Sequence, residues 1–408
     1  MIVNPRVLDF EKMGLGMFVH FGIYSLLGKG EWAKACLEIP DEAYFPLAEK
    51  FCPREDWAEN LARTAADAGC RYITLTTRHH DGYSLYDTHG LNDYDSIHSC
   101  GRDLVGEFVD ACRAHGLKPF FYHTLLDWYA PSFRTDFPAY LQYLRDSVRL
   151  LCTNYGPIGG IWFDGKWSRP DDDWQEDDLY GMIRALQPEA MIINNTGLSA
   201  RGALGHIELD SVTFECGRPR PINLADSPKY IASEMCQIIG RHWGYAEMDL
   251  NLASSARIIE DLAACRRYGS NFLLNVGPMG DGSLRLADRA MFETLGRWVH
   301  TCEEALREPR PFPLEIPGKP KDFLLRRDKT FYLFVHDLYT NADPNVAQPK
   351  PGDYTERLPF QEKIRRITWL DNGEELAFTQ SGGMTTIGTT PFPYGTDLVI
   401  RVAKIETE

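Results

Sequence analysis

The chain has 408 residues, of which 44% are hydrophobic and 25% are charged, and its formal net charge is −15. This balance is that of an ordinary globular protein and argues against an intrinsically disordered chain. The acidic character also argues against a nucleic-acid or anionic-membrane partner, because binding to phosphate groups requires a basic face.

The beginning of the chain and the cysteine pattern bear on its location. The segment MIVNPRVLDF shows no basic stretch followed by an apolar core, so we expect no signal peptide. No run of about 18 apolar residues predicts a transmembrane helix. The ten cysteines include no CxxC pair, and most lie in helix-like or strand-like segments. We therefore expect buried thiols and a cytoplasmic location.

Short β-rich runs alternate with helical patterns from residue 1 to about residue 307. One helical pattern places Leu104, Phe108 and Cys112 on one face, with Asp103 as its predicted N-cap and Gly116 as its predicted C-cap. Such alternation predicts parallel strands joined by helices, and we predict an α/β fold of the distorted (β/α)8 barrel type. The predicted strands are residues 14–22, 72–77, 117–124, 159–165, 190–196, 211–215 and 271–277.

Two regions depart from this alternation. Residues 222–250 show no clear period, which predicts a missing or irregular barrel unit. After Pro311 a proline-rich linker leads into short alternating runs, separated by turn signals such as DNG and SGG. We predict that the barrel occupies residues 1–308 and that residues 309–408 form an all-β sandwich domain.

Polar and aromatic side chains stand at the ends of the predicted strands. In a barrel of this type all carboxyl ends of the strands meet at one face, where active sites lie. A single strand-end Asp is often a helix cap or turn former, and tryptophans are often core residues, but so many coincidences favour one shared pocket. The strand-end residues are His20, His79, His80, Asp81, Tyr122, His123, Asp164, Asn194, Asn195 and Glu215.

The absence of several known motifs limits the kinds of reaction that this predicted pocket could catalyse. It contains no G-x-S-x-G elbow and no phosphate-binding glycine loop. The adjacent His79 and His80 point to opposite sides of a strand end, so they rarely share a metal ion, and we expect neither metal nor cofactor. Aromatic faces with neutral hydrogen-bonding groups suit a sugar, and two carboxylates suit glycosidic chemistry.

Several segments resemble the α-L-fucosidases of glycoside hydrolase family 29. The matching segments are GMFVHFGIYS (16–25), GEWA (30–33), TLTTRHHDGYSLYDT (74–88), FYHTLLDWYAP (121–131), GGIWFDGKW (159–167), HWGY (242–245) and NFLLNVGPMGDG (271–282). The resemblance implies a distorted barrel with a C-terminal β-sandwich, hydrolysis of α-L-fucosides with retention, and no metal. It also implies that Asp164, the acid of the WFDG-type motif, is the nucleophile.

The resemblance further implies a second catalytic carboxyl group and a set of sugar contacts. Glu215 is the preferred acid/base because it ends a predicted strand, and Glu234 is the alternative. Glu234 is otherwise expected to contact the substrate, and Phe18 is a candidate wall for the deoxy-sugar methyl group. The implied sugar contacts are His20, Glu31, Trp32, His79, His80, Tyr122 and Trp162.

Two departures from the family pattern bear on substrate choice. Relatives often carry a sugar-binding Arg after the fifth strand, where this chain has NNTGLSAR, so Arg201 is the candidate substitute. His123 stands where many relatives have Ser. Both suggest an altered sugar preference, which leaves open an exo-glycosidase for another sugar. A non-catalytic fucose-binding protein is the alternative from a different class, and the presence of both Asp164 and a suitably placed Glu argues against it. The expected partner is a fucosylated oligosaccharide or glycoconjugate, and a homo-oligomer is compatible with the sequence.

Overall fold

Eight parallel strands form a closed barrel in the order of the chain. The computed structural model describes residues 2–196, 201–225, 227–338, 354–393 and 395–408. The first strand pairs with both the second and the eighth, which closes the ring. The predicted barrel is thus confirmed. Its strands are β1 (Leu15–Val19), β2 (Tyr72–Arg78), β3 (Lys118–Thr124), β4 (Gly160–Asp164), β5 (Met191–Asn194), β6 (Ser211–Glu215), β7 (Ala232–Gln237) and β8 (Asn271–Val276).

The helices of the described residues lie mostly between these strands. They are α1 (Pro5–Glu11), α2 (Ala33–Cys36), α3 (Asp41–Tyr44), α4 (Trp57–Asp67), α5 (Ser96–Cys100), α6 (Leu104–Ala114), α7 (Ser132–Thr135), α8 (Phe137–Asn154), α9 (Glu176–Leu186), α10 (Ser255–Arg267), α11 (Leu286–Thr301) and α12 (Glu303–Leu306).

Helix α6 shows how the sequence produces these elements. Asp103 accepts a hydrogen bond from the backbone N–H of Gly106, as the capping pattern predicted, and such a cap stabilises a helix by about 1 kcal/mol. The face with Leu104 and Phe108 is buried. The helix ends at Ala114, and Gly116 follows in a left-handed conformation with φ of 68°. Asp103 is therefore the N-cap that the sequence pattern predicted, whereas the C-cap is His115 and the predicted Gly116 follows it by one residue.

The barrel is irregular between β5 and β7. Strand β5 pairs with β6 only through Ile193 and Ser211, and within the described ranges no helix lies between β5 and β6 or between β6 and β7. Strand β7 was missing from the sequence prediction and falls in the stretch 222–250. Its sequence, ASEMCQ, carries polar residues that are nonetheless buried, among them Ser233 and Glu234. A buried strand with polar residues lacks the apolar run from which it could be recognised.

The end of the barrel at which the strands begin is filled by aromatic side chains. Tyr72, Phe120 and Phe10 pack with their ring centroids 5.1 to 5.8 Å apart. Gly16 permits this packing, because a Cβ atom there would lie 2.4 Å from the ring of Tyr72. Asn271, the first residue of β8, donates to the carbonyl of Phe10 and so holds α1 at this end. This packing closes the barrel at the end where the strands begin, and the pocket lies at the opposite end, where the strands finish.

The C-terminal part contains two antiparallel sheets, which confirms the all-β prediction. Five strands lie in the order β13-β16-β11-β10-β9 and three in the order β12-β15-β14. Buried residues of both sheets, such as Leu333 and Ile387, form one apolar core. The strands are β9 (Arg310–Phe312), β10 (Phe323–Arg327), β11 (Thr330–Val335), β12 (Thr355–Leu358), β13 (Ile364–Trp369), β14 (Phe378–Ser381), β15 (Met384–Gly388) and β16 (Arg401–Thr407).

The chain divides by contacts into two compact units that interleave in sequence. One comprises residues 1–253 and 270–293, and the other comprises residues 254–269 and 294–408. Helix α10 thus belongs to the second unit, where it lies against β9 and β10. The division into a barrel of residues 1–308 and a sandwich of residues 309–408 stays a prediction.

The sequence also predicts that the chain has no transmembrane helix and that its cysteines are unpaired. None of the helices in the described ranges has the length and apolar character needed to cross a bilayer. No disulfide joins the ten cysteines, all of which lie within the described ranges.

Candidate active site

A pocket lies at the carboxyl ends of the barrel strands. Eight of the ten predicted site residues line it, and so does Phe18. The roles assigned to these residues stay predictions, but the fold gathers them from positions about 200 residues apart. The lining residues are Phe18, His20, Trp32, His79, His80, Tyr122, Trp162, Asp164, Trp167, Asn195, Glu215, Cys236 and Trp243.

Asp164 is the last residue of β4, and a glycine turn presents its side chain to the pocket. Gly165 has φ of 97°, and a Cβ atom there would lie 2.8 Å from the backbone nitrogen of Leu126. The carboxylate accepts from the hydroxyl of Tyr122 at 3.1 Å through Oδ2. Burial raises the pKa of Asp164, while hydrogen bonds from Tyr122, the Gly165 backbone, Asn195 and Trp167 act in the opposite direction. These donors favour the ionised carboxylate that a nucleophile requires.

Glu215 ends β6 and faces the same pocket. Burial, followed by the negative charge of Asp164, raises the pKa of Glu215 to about 7, against the opposing effects of Asn195 and Arg201. Glu215 therefore holds a proton up to near-neutral pH beside a carboxylate that has more hydrogen-bond donors. Two carboxyl groups whose environments separate their proton affinities are the arrangement from which acid and nucleophile roles are assigned.

The amide of Asn195 lies between the two carboxyl groups. Its Nδ2 is 3.4 Å from Oδ1 of Asp164 and 2.6 Å from Oε2 of Glu215, so by addition these two oxygens are at most about 6 Å apart. Asn195 was recognised in the sequence only as a strand-end residue, not as a site residue. Its position directly after β5 is the signal that could have identified it.

His20, which follows β1, is neutral and has an assignable tautomer. Burial lowers the pKa of His20 to about 3. The side-chain nitrogen of Asn275 donates to the carbonyl of Trp243 at 2.7 Å, so its oxygen is the atom that faces Nδ1 of His20 at 2.7 Å. Nδ1 must then carry the proton, and Nε2 is left as an acceptor. A sugar hydroxyl that meets this ring therefore has to donate.

The same reasoning applies to His80. Its pKa is lowered to about 3 by burial. The hydroxyl of Thr124 donates to the carbonyl of Leu126, and it accepts from Nδ1 of His80 at 2.7 Å. Nε2, which is 3.6 Å from Oδ2 of Asp164, therefore has no proton to donate, and the two groups do not form an ion pair. Both histidines thus offer a bare nitrogen as an acceptor.

Aromatic rings form the walls of the pocket. Phe18 lies 5.2 Å from Trp162 and 5.8 Å from Trp243, measured between ring centroids. Trp32 lies 5.8 Å from Trp167. Trp167 and Trp243 were not predicted as site residues, although both belong to segments that carry the family resemblance. Such rings suit the apolar C–H faces of a sugar.

Glu31 and Glu234, the two other predicted site residues, are not among the residues that line the pocket. Glu31 accepts from the backbone N–H of Gly244 at 2.7 Å. Glu234 is 1% exposed, and its two oxygens accept from Nε1 of Trp162 at 3.0 Å and from the hydroxyl of Tyr72. Burial raises the pKa of Glu234 to about 7. The structure therefore places Glu234 behind the pocket wall, where it holds Trp162.

The two departures from the family pattern lie outside the pocket lining. His123 is fully buried, and its Nε2 is 3.1 Å from the hydroxyl of Ser147 on α8. It therefore faces the surrounding helix, which corrects the suggestion that it shapes the sugar site. Arg201 is exposed, and its charge lowers the pKa of Glu215. Among the residues that the structure describes, no group of three or more His, Cys, Asp or Glu is arranged to hold a metal ion.

Comparison with known proteins shows the family to which this chain belongs. The family model for alpha-L-fucosidase matches residues 5–304. The tissue alpha-L-fucosidase of Rattus norvegicus is 26% identical, with 98% of this chain and 90% of that protein covered. The alpha-L-fucosidase of Dictyostelium discoideum is also 26% identical, with 77% and 74% covered.

Solved structures share the fold over nearly the whole chain. Alpha-L-fucosidase isoenzyme 1 from Paenibacillus thiaminolyticus has a TM-score of 0.83 at 25% identity, with 99% of each chain covered. A trapped covalent intermediate of a family 29 alpha-L-fucosidase from Bacteroides thetaiotaomicron has a TM-score of 0.84 at 21% identity, with 99% and 96% covered. Because the family model spans the barrel and all residues of the pocket, the chain belongs to the α-L-fucosidases of glycoside hydrolase family 29 and is a glycoside hydrolase.

Proposed function

We propose that the protein is a retaining exo-α-L-fucosidase that removes terminal α-L-fucosyl residues from oligosaccharides or glycoconjugates. The pair formed by Asp164 and Glu215 carries this proposal. The two carboxyl oxygens that share the Asn195 amide are at most about 6 Å apart by addition of 3.4 and 2.6 Å. Retaining glycosidases hold their carboxyl groups about 5–5.5 Å apart, whereas inverting enzymes leave roughly 6.5–9.5 Å for a water molecule.

In the first step, the carboxylate of Asp164 attacks the anomeric carbon while the bond to the leaving oxygen breaks. Glu215 transfers its proton to that oxygen, so the alcohol leaves neutral and a fucosyl-enzyme ester forms. In the second step, ionised Glu215 takes a proton from water, and the resulting nucleophile displaces Asp164 from the anomeric carbon. Each carboxyl group then returns to its initial state, and the configuration of the sugar is retained.

The walls of the pocket support an exo-acting enzyme for a neutral deoxy-sugar. The packed core of the barrel closes the base of the pocket, so a sugar enters from the mouth alone. His20 and His80 accept hydrogen bonds from sugar hydroxyls through Nε2, as their other nitrogens are engaged. The apolar ring of Phe18 is available to the methyl group of a deoxy-sugar.

The proposal is tested by hydrolysis of an aryl α-L-fucoside, with the first-formed anomer of fucose followed by proton NMR. We expect the α-anomer to appear first. Azide then distinguishes the two carboxyl groups. Asp164→Gly should yield β-fucosyl azide, because azide replaces the nucleophile, and Glu215→Ala should yield α-fucosyl azide, because azide replaces the water.

The remaining outcomes separate the alternatives. Cleavage of an aryl α-L-galactoside by a protein that leaves the fucoside intact would favour an exo-glycosidase for another sugar. Fucose binding by calorimetry without turnover of any glycoside would favour a non-catalytic sugar-binding barrel. First release of the β-anomer from the fucoside would contradict the retaining mechanism.

A further inference from the structure

The amide of Asn195 is fixed in space by the strands on either side of it. Its backbone N–H donates to the carbonyl of Phe163 at 2.9 Å, one residue before Asp164. Its side-chain oxygen accepts from the hydroxyl of Thr213 at 2.9 Å, on the strand that ends with Glu215. The amide is thus tied to both strands that carry the carboxyl groups.

The bond from Thr213 also settles which end of the amide faces the carboxyl groups. Since the oxygen of Asn195 is engaged by a hydroxyl donor, both N–H bonds are directed away from it. One reaches Oε2 of Glu215 at 2.6 Å, and the other is directed to Oδ1 of Asp164 at 3.4 Å. Asn195 can therefore only donate to this pair.

We propose that Asn195 is a positioning residue that assigns the catalytic proton of Glu215 to Oε1. The inference rests on the proposed retaining mechanism. A carboxyl oxygen that accepts a short N–H bond acts as the carbonyl oxygen of the acid, which leaves the other oxygen to carry the proton. Oε1 is then the atom that delivers the proton to the leaving oxygen.

The same amide follows the negative charge as it moves through the reaction. Before the first step the charge resides on Asp164, and after it the charge resides on Glu215, while Asp164 is an uncharged ester. A hydrogen bond to an ionised acceptor is about twice as strong as one to a neutral acceptor. The shorter of the two Asn195 bonds thus strengthens as the proton leaves Glu215, which stabilises the transition state for acid catalysis.

Other groups act on Glu215 and have to be held constant in the test. Its pKa is raised by the charges of Asp164 and Glu31 and lowered by that of Arg201. Tyr122 and Cys236 also interact electrostatically with it. None of these residues is changed in the variants below, so a shift in proton affinity can be attributed to the amide.

The experiment compares two leaving groups in Asn195→Ala. A 4-methoxyphenyl fucoside needs a proton on its leaving oxygen, whereas a 2,4-dinitrophenyl fucoside does not. If Asn195 acts through Glu215, kcat/KM should fall by about 10- to 100-fold for the first substrate, the range expected for a hydrogen bond to a charged group, and by only a few-fold for the second. Thr213→Val, which frees the amide to rotate, should show the same asymmetry at a smaller size.

Asn194→Ala is the matched control. Its amide is at the neighbouring position but donates to the hydroxyl of Tyr180 at 2.8 Å, away from the carboxyl pair. It should keep the wild-type ratio between the two substrates. Equal losses on both substrates in Asn195→Ala and Thr213→Val would overturn the inference while leaving the proposed function intact.

A measurement without turnover keeps the two proposals separable. Carbon-13 NMR titration of the glutamate side chains, assigned with Glu215→Gln, should show a higher pKa for Glu215 in Asn195→Ala than in the wild type. An unchanged pKa would overturn the inference. If the wild type is inert on every fucoside, the proposed function fails and the catalytic role of the amide fails with it, whereas an unchanged pKa in an active enzyme overturns the inference alone.

Discussion

Glu215 and Glu234 lie on the neighbouring strands β6 and β7, and burial raises the pKa of each to about 7. The two carboxyl groups differ in their hydrogen-bond partners and in their access to the pocket. Glu234 is level with Thr213, two residues below Glu215, and both of its oxygens accept hydrogen bonds from the barrel interior. Glu215 lines the pocket, where Asn195 binds its Oε2.

A raised proton affinity therefore does not by itself identify a catalytic acid. Burial is the largest cause of the raised pKa at both carboxyl groups, yet only Glu215 lines the pocket, where a bound molecule can reach it. Glu234 uses its oxygens to hold Trp162 and Tyr72. The comparison separates a carboxyl group that lines the pocket from one that is enclosed by protein groups.

The largest expected effect comes from removing the ionisable group at each position without changing its shape. Glu215→Gln should lower kcat for a fucoside with a poor leaving group by about 10²- to 10⁴-fold, the usual contribution of general acid–base catalysis. Glu234→Gln should lower it less than about tenfold, because an amide can still accept from Trp162. The reverse ranking would make Glu234 the acid/base.

The pH profile should show the same distinction. Glu215 must be protonated for the first step, so kcat/KM for a 4-methoxyphenyl fucoside should fall above about pH 7, by about tenfold per pH unit. Below the pKa of Asp164 the nucleophile is protonated and the rate falls as well. A profile measured from pH 4 to 9 in wild type and Glu234→Gln should keep the alkaline limb in both. Loss of that limb in Glu234→Gln would contradict the assignment.

A smaller effect is expected when the hydrogen bond that fixes the tautomer of the neutral His20 ring is removed. Asn275→Leu removes the oxygen that holds the Nδ1 proton of His20, so Nε2 is no longer kept as an acceptor. Loss of one well-placed hydrogen bond should raise KM about tenfold with little change in the pH limb assigned to Glu215. Asn154→Ala, an exposed amide at the end of α8, is the control for substitution alone.

The last prediction concerns the stability of the fold and applies to the buried carboxyl group of Glu234. Between its ordinary value of 4.5 and about 7, Glu234 stays protonated in the folded protein but ionises in the unfolded chain, so the folded state loses stability as pH rises. Glu234→Gln removes this loss. Its Tm relative to wild type should rise from pH 4.5 to 7, by the equivalent of up to about 3 kcal/mol. A Tm difference independent of pH would contradict this account.

Much of the fold could be predicted because the hydrophobic periods agree with the structure from β1 to β5. Strand β7 could not, since Ser233, Glu234 and Gln237 interrupt its apolar pattern although all three are buried. A polar residue inside a barrel is stabilised by partners from distant strands, here Tyr72 and Trp162 for Glu234. Partners so far apart leave no local pattern.

The positions of the site residues, like those of the strands, could be predicted in part. Strand ends identified Asp164, Glu215 and Tyr122 because one fold rule brings all of those ends together, and the family resemblance added Trp32 and Trp162. The rule does not tell which strand-end side chains turn inward, so His123 was weighed as a pocket residue and Asn195 was left out. That distinction depends on register, which sets Thr124 level with Asp164 and directs His123 toward α8.

The pairing of β1 with β8 has a consequence for biosynthesis. Gly16 and its partner Leu273 are separated by most of the barrel sequence, so the ring cannot close on the ribosome until β8 has emerged. By then α10, which precedes β8 and belongs to the second compact unit, has already been made. Nascent chains should therefore leave the edge of β1 that pairs with β8 exposed until β8 has emerged, a state in which chaperone binding competes with aggregation.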